Sequence, residues 1–305
     1  MIPYESVPRL RGAVKLVDDL RFPESPRWHD GRLYFSDMYD KQVLALSDDG
    51  RLDVVCRVPG EPSGLGWTVE GDLLVVSMQE RQILRLHDHR LEVYADLSAY
   101  VESDCNDMHV DASGRAWVGS FGFSFPFRDG DPAIATSLLR VEPDGRICRA
   151  VDELIFPNGI EISADGTLYV AETWAFRIST FALGSGGSIA ERKTLVKFRE
   201  APIAYSGDVH RATAFAPDGI CLDAAGSLWV GSATGGGPIL VSSTGEIIAT
   251  VDLGDLTAFA VCLGGPDGRT LYMCAGPPMG EADHRQGRQG SIWAVRVDEE
   301  IAICT

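Results

Sequence analysis

Glu24, Asn106, Asn158 and Asp218 each stand at the head of the same recurring pattern, and together they carry two carboxylates and two carboxamide oxygens. A hard oxygen donor set without His or Cys is the kind that Ca²⁺ accepts, with waters completing the shell, whereas zinc and copper prefer softer donors. Taken singly these residues are ordinary, because Pro-Asn-Gly, Pro-Asp-Gly and Pro-Ser-Gly form turns in any protein. Four oxygen-bearing residues at one equivalent position are a different matter. Converging carboxylates repel unless something neutralises them, which points to a bound cation.

The equivalence rests on a repeat. The chain reads PESPRWHDGRLYFSD, PSGLGWTVEGDLLVVS, CNDMHVDASGRAWVGS, PNGIEISADGTLYVAE, PDGICLDAAGSLWVGS and FAVCLGGPDGRTLYMCA, with Gly31, Gly71, Gly114, Gly166, Gly226 and Gly268 at the matching turn. Such a glycine suits a tight turn of positive φ between antiparallel strands, and the run after it alternates with period two. A third strand follows (QVLAL, QILRL, SLLRV, RISTF, PILV, SIWAV), then a hairpin and a fourth (SDDGRLDVVC, HDHRLEVYAD, EPDGRICRAV). Four antiparallel strands repeated about every fifty residues predict an all-β, six-bladed β-propeller of four-stranded blades, one domain over residues 1–305. The heads Glu24, Ser63, Asn106, Asn158, Asp218 and about Phe259 then ring one mouth of the central channel. Their spacings of 39, 43, 52, 60 and about 41 place the insertions in the later blades. Extra length at residues 121–136 and 276–290 is expected to wall the functional mouth.

Composition narrows the function. With 44 acidic against 27 basic side chains the formal charge is −17, so the electrostatic attraction behind nucleic-acid and anionic-membrane binding is missing. The longest charge-free run, Ala224 to Gly245, holds six glycines and does not read as a membrane span. The start, MIPYESVPRLRG, lacks the apolar core of a signal peptide. Seven scattered cysteines without a CxxC pair favour free thiols and a cytoplasmic setting. The expected partner is a small-molecule substrate, and the expected state a monomer or homodimer.

The motifs FPESPRW, CNDMHVDASGRAWVG, FPNGIEISADGTLYVAET and APDGICLDAAGSLWVG resemble those of the senescence marker protein (regucalcin), gluconolactonase and luciferin-regenerating enzyme family of six-bladed propellers, from about Phe22 to Val297. A more distant resemblance is to diisopropyl fluorophosphatase. The resemblance implies one divalent cation held by Glu24, Asn106, Asn158 and Asp218, with Ca²⁺ first and Mg²⁺, Mn²⁺ or Zn²⁺ as alternatives. It also implies a catalytic part for Asp218 and contact between Asn106 and substrate. One departure is informative: the sugar-lactone hydrolases of the family carry Arg two residues before the third-motif Asn, where this chain has Asp104. Phe121, Phe123, Phe125, Phe127 and Trp174 are available to line a pocket for a bulkier, more apolar lactone or ester.

The expected chemistry is hydrolysis of a lactone whose carbonyl the cation polarises, with Asp218 as general base or nucleophile. Asp107, beside Asn106, is a second candidate base, or equally a strand-start turn residue. His210 precedes the Asp218 motif by eight residues and is a candidate substrate donor, although a lone loop His is more often solvated. His87 and His89 fall on an outer hairpin and simply turn there. The alternatives are a non-enzymatic calcium-binding or partner-binding propeller, and a phosphotriesterase-like activity.

Overall fold

A computed structural model describes residues 7–123, 134–184, 188–200, 214–279 and 283–297. Its strands form six sheets, each with four antiparallel strands running outward from an innermost strand. The innermost strands are Pro23–His29, Pro62–Trp67, Cys105–Val110, Pro157–Ile162, Pro217–Leu222 and Thr257–Gly264. Each packs on the inner strand of the next blade, and Thr257–Gly264 closes the circle against Pro23–His29. The expected six-bladed propeller is therefore the fold. Among the described residues no helix is long and apolar enough to cross a membrane, and the six described cysteines are free thiols.

Burial explains the strand sequences. The second strands Leu73–Ser77, Ala116–Ser120 and Leu228–Ser232 are buried at every position, because each blade is covered on both faces by its neighbours. They consequently read as near-continuous apolar runs. Outer strands such as Leu52–Arg57 and Arg90–Asp96 face water and alternate instead. The turn glycines behave as expected: Gly31, Gly71, Gly114, Gly166, Gly226 and Gly268 all have φ between 70° and 92°. At two of these turns the repeated Asp caps its own loop, with Asp111 accepting from the N–H groups of Ser113 and Arg115, and Asp223 from those of Ala225 and Ser227.

The repeat alone gives no hint of how the ring closes. The outer strand of the sixth blade is Val14–Leu20, antiparallel to Gly290–Arg296. Arg9–Leu10 adds a short parallel edge to Ile247–Val251 in the fifth blade. The two ends of the circle are thus sewn together by main-chain hydrogen bonds.

Candidate metal and active site

Every inner strand carries a register shift against its neighbour at the same height. The shifts fall between Glu24 and Arg27, Pro62 and Leu65, Cys105 and Met108, Pro157 and Ile160, Pro217 and Ile220, and Ala258 and Ala260. A bulge breaks strict alternation and re-aims the side chains within it. This local irregularity is what turns the head residues toward the channel.

Glycine serves a different purpose here from the turn role that the sequence suggests. Gly64, Gly159 and Gly219 lie within inner strands. A Cβ on Gly159 would stand 2.5 Å from Asp218 O and 2.6 Å from Ile220 N, and one on Gly64 would stand 2.3 Å from Met108 N. The inner strands of neighbouring blades approach so closely at this level that only hydrogen fits. Ser63-Gly64, Asn158-Gly159 and Asp218-Gly219 are therefore ring contacts, not turns.

Glu24, Asn106, Asn158 and Asp218 line one cavity of about 550 Å³, counted out to its mouth. All four are buried. Among the described residues no three His, Cys, Asp or Glu side chains gather into a group; the convergence is two carboxylates with two amides. Burial pushes the Glu24 carboxyl well above its usual range, and Asp218 and Asp107 push it further. Burial and Asp107 raise Asp218 likewise, against hydrogen bonds from Asn158 and the Gly219 backbone. A divalent cation would act in the opposite direction on both.

The amides fit the same ion. Asn158 Nδ2 donates to Thr173 Oγ1 at 3.3 Å, and Thr173 Oγ1 donates to Pro217 O at 2.8 Å. Asn158 thereby keeps its Oδ1 for the cavity. Ser63 Oγ donates to Asn106 Oδ1 at 3.4 Å, while Asn106 Nδ2 is buried without a partner. Rotated by half a turn, that amide would give Nδ2 to Ser63 and present Oδ1 to a cation, which removes the orphaned donor. The residues present therefore suit a hard divalent ion.

Asp107 lies outside the cavity lining. Its Oδ1 accepts from Ser25 Oγ at 3.1 Å, Arg27 Nη2 at 3.0 Å and Met108 N at 2.8 Å. It is a fixed negative charge behind the donor set, held by its neighbours rather than turned toward substrate. His210 and the residues Phe125 and Phe127 lie outside the described residues. His87 sits on its outer hairpin, bonded to Asp72 at 2.9 Å, as the sequence suggests.

Phe121 and Trp174 do line the cavity, and two aromatic banks frame it. On the side of blades three and four, Phe121 and Phe156 stack at 4.6 Å between centroids and Trp174 follows at 6.0 Å from Phe156. On the side of blades six and one, Phe22 meets Phe259 at 4.7 Å and Tyr39 at 5.7 Å. Each bank is anchored by a buried acid at the end of a second strand. Asp37 Oδ1 accepts from Phe22 N at 2.9 Å, and Glu172 Oε2 from Ile155 N at 3.0 Å. Phe259 falls at the mouth as the repeat predicts; sequence reasoning missed Phe22 and Phe156, although each stands directly before the Pro of a motif.

Comparison with known proteins places the chain in a family. Residues 22–276 fit the family model of the SMP-30/gluconolactonase/LRE-like region. The chain belongs to that family. Within it, regucalcin from Xenopus laevis is 25% identical over 284 residues, covering 89% of this chain and 89% of the relative. A 6-deoxy-6-sulfogluconolactonase from Pseudomonas putida is 25% identical over 288 residues, covering 90% and 91%. Among solved structures, a gluconolactonase from Xanthomonas campestris superposes with a TM-score of 0.73 at 24% identity over 94% of this chain and 89% of that one. A luciferin-regenerating enzyme gives 0.75 at 20% identity over 94% and 95%. At those identities the two structures establish the family propeller and nothing finer.

Proposed function

We propose that this member of the family is a divalent-metal-dependent lactone hydrolase. The observation that carries the reading is the convergence of Glu24, Asn106, Asn158 and Asp218, two carboxylates and two amides, in one buried cavity at the channel mouth. Membership in a gluconolactonase-like family and similarity to a sulfogluconolactonase support the class of reaction. Bound to those four residues, the cation would polarise the lactone carbonyl and stabilise the oxyanion formed on it.

The chain's own residues then divide the work. Glu24 and Asn158 would hold the ion, and Asn106 would serve both ion and substrate. Asp218, in its ionised form, takes a proton from the water that attacks the carbonyl carbon. As the ring C–O bond breaks, Asp218 returns that proton to the departing ring oxygen, leaving a hydroxy acid whose carboxyl proton passes to solvent. Asp107 contributes fixed charge behind the site, and Phe121 and Trp174 form a wall.

The test is a lactone panel with chelated protein, repeated after addition of Ca²⁺, Mg²⁺, Mn²⁺ or Zn²⁺. Turnover that returns with a cation and is lost in Asp218→Asn is the expected result. Tight cation binding without turnover on any lactone would move the assignment to a calcium-binding propeller.

A further inference from the structure

The cavity has an uneven chemical character that bears on which lactone it takes. Among the described residues its polar side-chain groups are the donor set, the Tyr39 hydroxyl and the Trp174 indole N–H, while the rest of the lining is aromatic or apolar, including Met38 and Met279. No Lys or Arg lines it among the described residues. Guanidiniums near it are engaged by carboxylates: Arg27 with Asp107 at 3.0 Å, and Arg285 with Glu61 at 3.1 Å, behind the Tyr39 ring. A sugar-like substrate would bring several hydroxyl groups, for which the described walls hold few hydrogen-bonding groups outside the donor set, and burying them unpaired is unfavourable. An anionic substituent would meet Glu24 and Asp218, with no Lys or Arg of the described lining to compensate.

Phe156 gives a second, independent indication. Its φ is 54°, in the left-handed region that a bulky side chain rarely occupies. The conformation is strained and persists where surroundings over-determine it. They do so here: Ile155 N donates to Glu172, and Phe156 O accepts from Thr173 N at 3.0 Å. Asn would sit in this backbone with ease, yet the chain keeps an aromatic ring there, stacked on Phe121 and facing the donor set.

Building on the lactonase reading above, we propose that the site takes an uncharged lactone bearing an alkyl or aryl substituent. The reacting carbonyl lies over the donor set and the substituent lies on Phe121, Phe156 and Trp174. Aldonolactones and lactones with an anionic substituent are poor substrates.

The experiment compares kcat/KM of the full chain, loaded with whichever cation supports turnover, on δ-valerolactone, longer 5-alkyl δ-lactones, dihydrocoumarin and glucono-δ-lactone. The expected result is a rise of up to about fourfold per added methylene until the cavity is filled, with glucono-δ-lactone at or below the unsubstituted parent. Phe156→Asn, which suits the left-handed backbone, should lower the ratio of alkyl to parent lactone by about tenfold. Preference for glucono-δ-lactone, or an alkyl preference untouched in Phe156→Asn, would overturn the substrate class while leaving the hydrolase standing. Failure to hydrolyse any of these lactones with any cation would overturn both.

Discussion

Replacing Asp218 by Asn should stabilise the metal-free protein and at the same time abolish its response to cations. In the absence of an ion, Glu24 and Asp218 are buried together with Asp107 behind them, and each raises the proton affinity of the set. Removing one charge relieves this by about 1 kcal/mol, in the range found when functional sites are relaxed. For a chain of 305 residues, 1 kcal/mol moves Tm by about 1.5 °C. The chelated variant should thus melt about 1.5 °C above the chelated wild type. With Ca²⁺ at a hundredfold excess over its Kd, the wild type gains about 2.7 kcal/mol, or about 4 °C, and the order reverses. The sign of the pH dependence follows from the same charges. Folded carboxyls with raised pKa hold protons more tightly than unfolded ones, so the contribution of Glu24 and Asp218 to metal-free stability is complete below the ordinary carboxylate range and is lost as pH rises from that range through their raised folded values, less steeply in the variant. Differential scanning fluorimetry with EDTA and with Ca²⁺ reads all of this. A variant that melts below the wild type in EDTA and still shifts by several degrees with Ca²⁺ would refute both the crowding of charge and the ligand role.

Three further outcomes concern the frame behind the site. Arg27→Met leaves Asp107 buried with no cationic partner and should cost about 3–5 kcal/mol in urea unfolding; a loss below 1 kcal/mol would show that the pair is dispensable. Gly159→Ala drives a methyl group into Asp218 O and Ile220 N and should cost about 1–3 kcal/mol, with weaker cation binding because the Asp218 strand is displaced; an unchanged urea midpoint would mean that the ring tolerates spreading. Deeper in the channel, burial pushes Glu161 up to about 7 while His109, 3.6 Å away, is pushed down to about 4 by burial and by Arg27. Glu161 therefore contributes stability at low pH that fades as pH rises from about 4.5 to about 7, whereas His109 takes stability away as pH falls from about 6.5 to about 4. The slopes oppose, so Glu161→Gln should steepen the rise in stability with pH between those limits, and a pH-independent difference from wild type would dismiss the pair.

The sequence made the blades and the head positions legible because both are periodic. Turn glycines recur at fixed offsets, second strands are apolar on both faces, and the departures from the repeat at Glu24, Asn106, Asn158 and Asp218 stand out against it. Ring closure was not legible, since Val14–Leu20 pairs with a segment far away in sequence and has no repeat to align with. Asp107 was ambiguous for a physical reason: in a regular strand its side chain would face away from that of Asn106, but the bulge between Cys105 and Met108 abolishes the rule on which such an argument depends. Phe156 escaped notice because no pattern marks an aromatic residue that is aimed by an unusual backbone angle.

The seam between Val14–Leu20 and Gly290–Arg296 sets a timetable for synthesis. The early strand leaves the ribosome long before its partner exists, so throughout elongation it is an unpaired edge beside five growing blades. Strand pairing of such long sequence separation is slow and exposes sticky edges meanwhile. Ribosome-bound chains stopped before residue 290 should accordingly stay sensitive to protease at the early strand, and release of the last blade should silence that sensitivity in a single step.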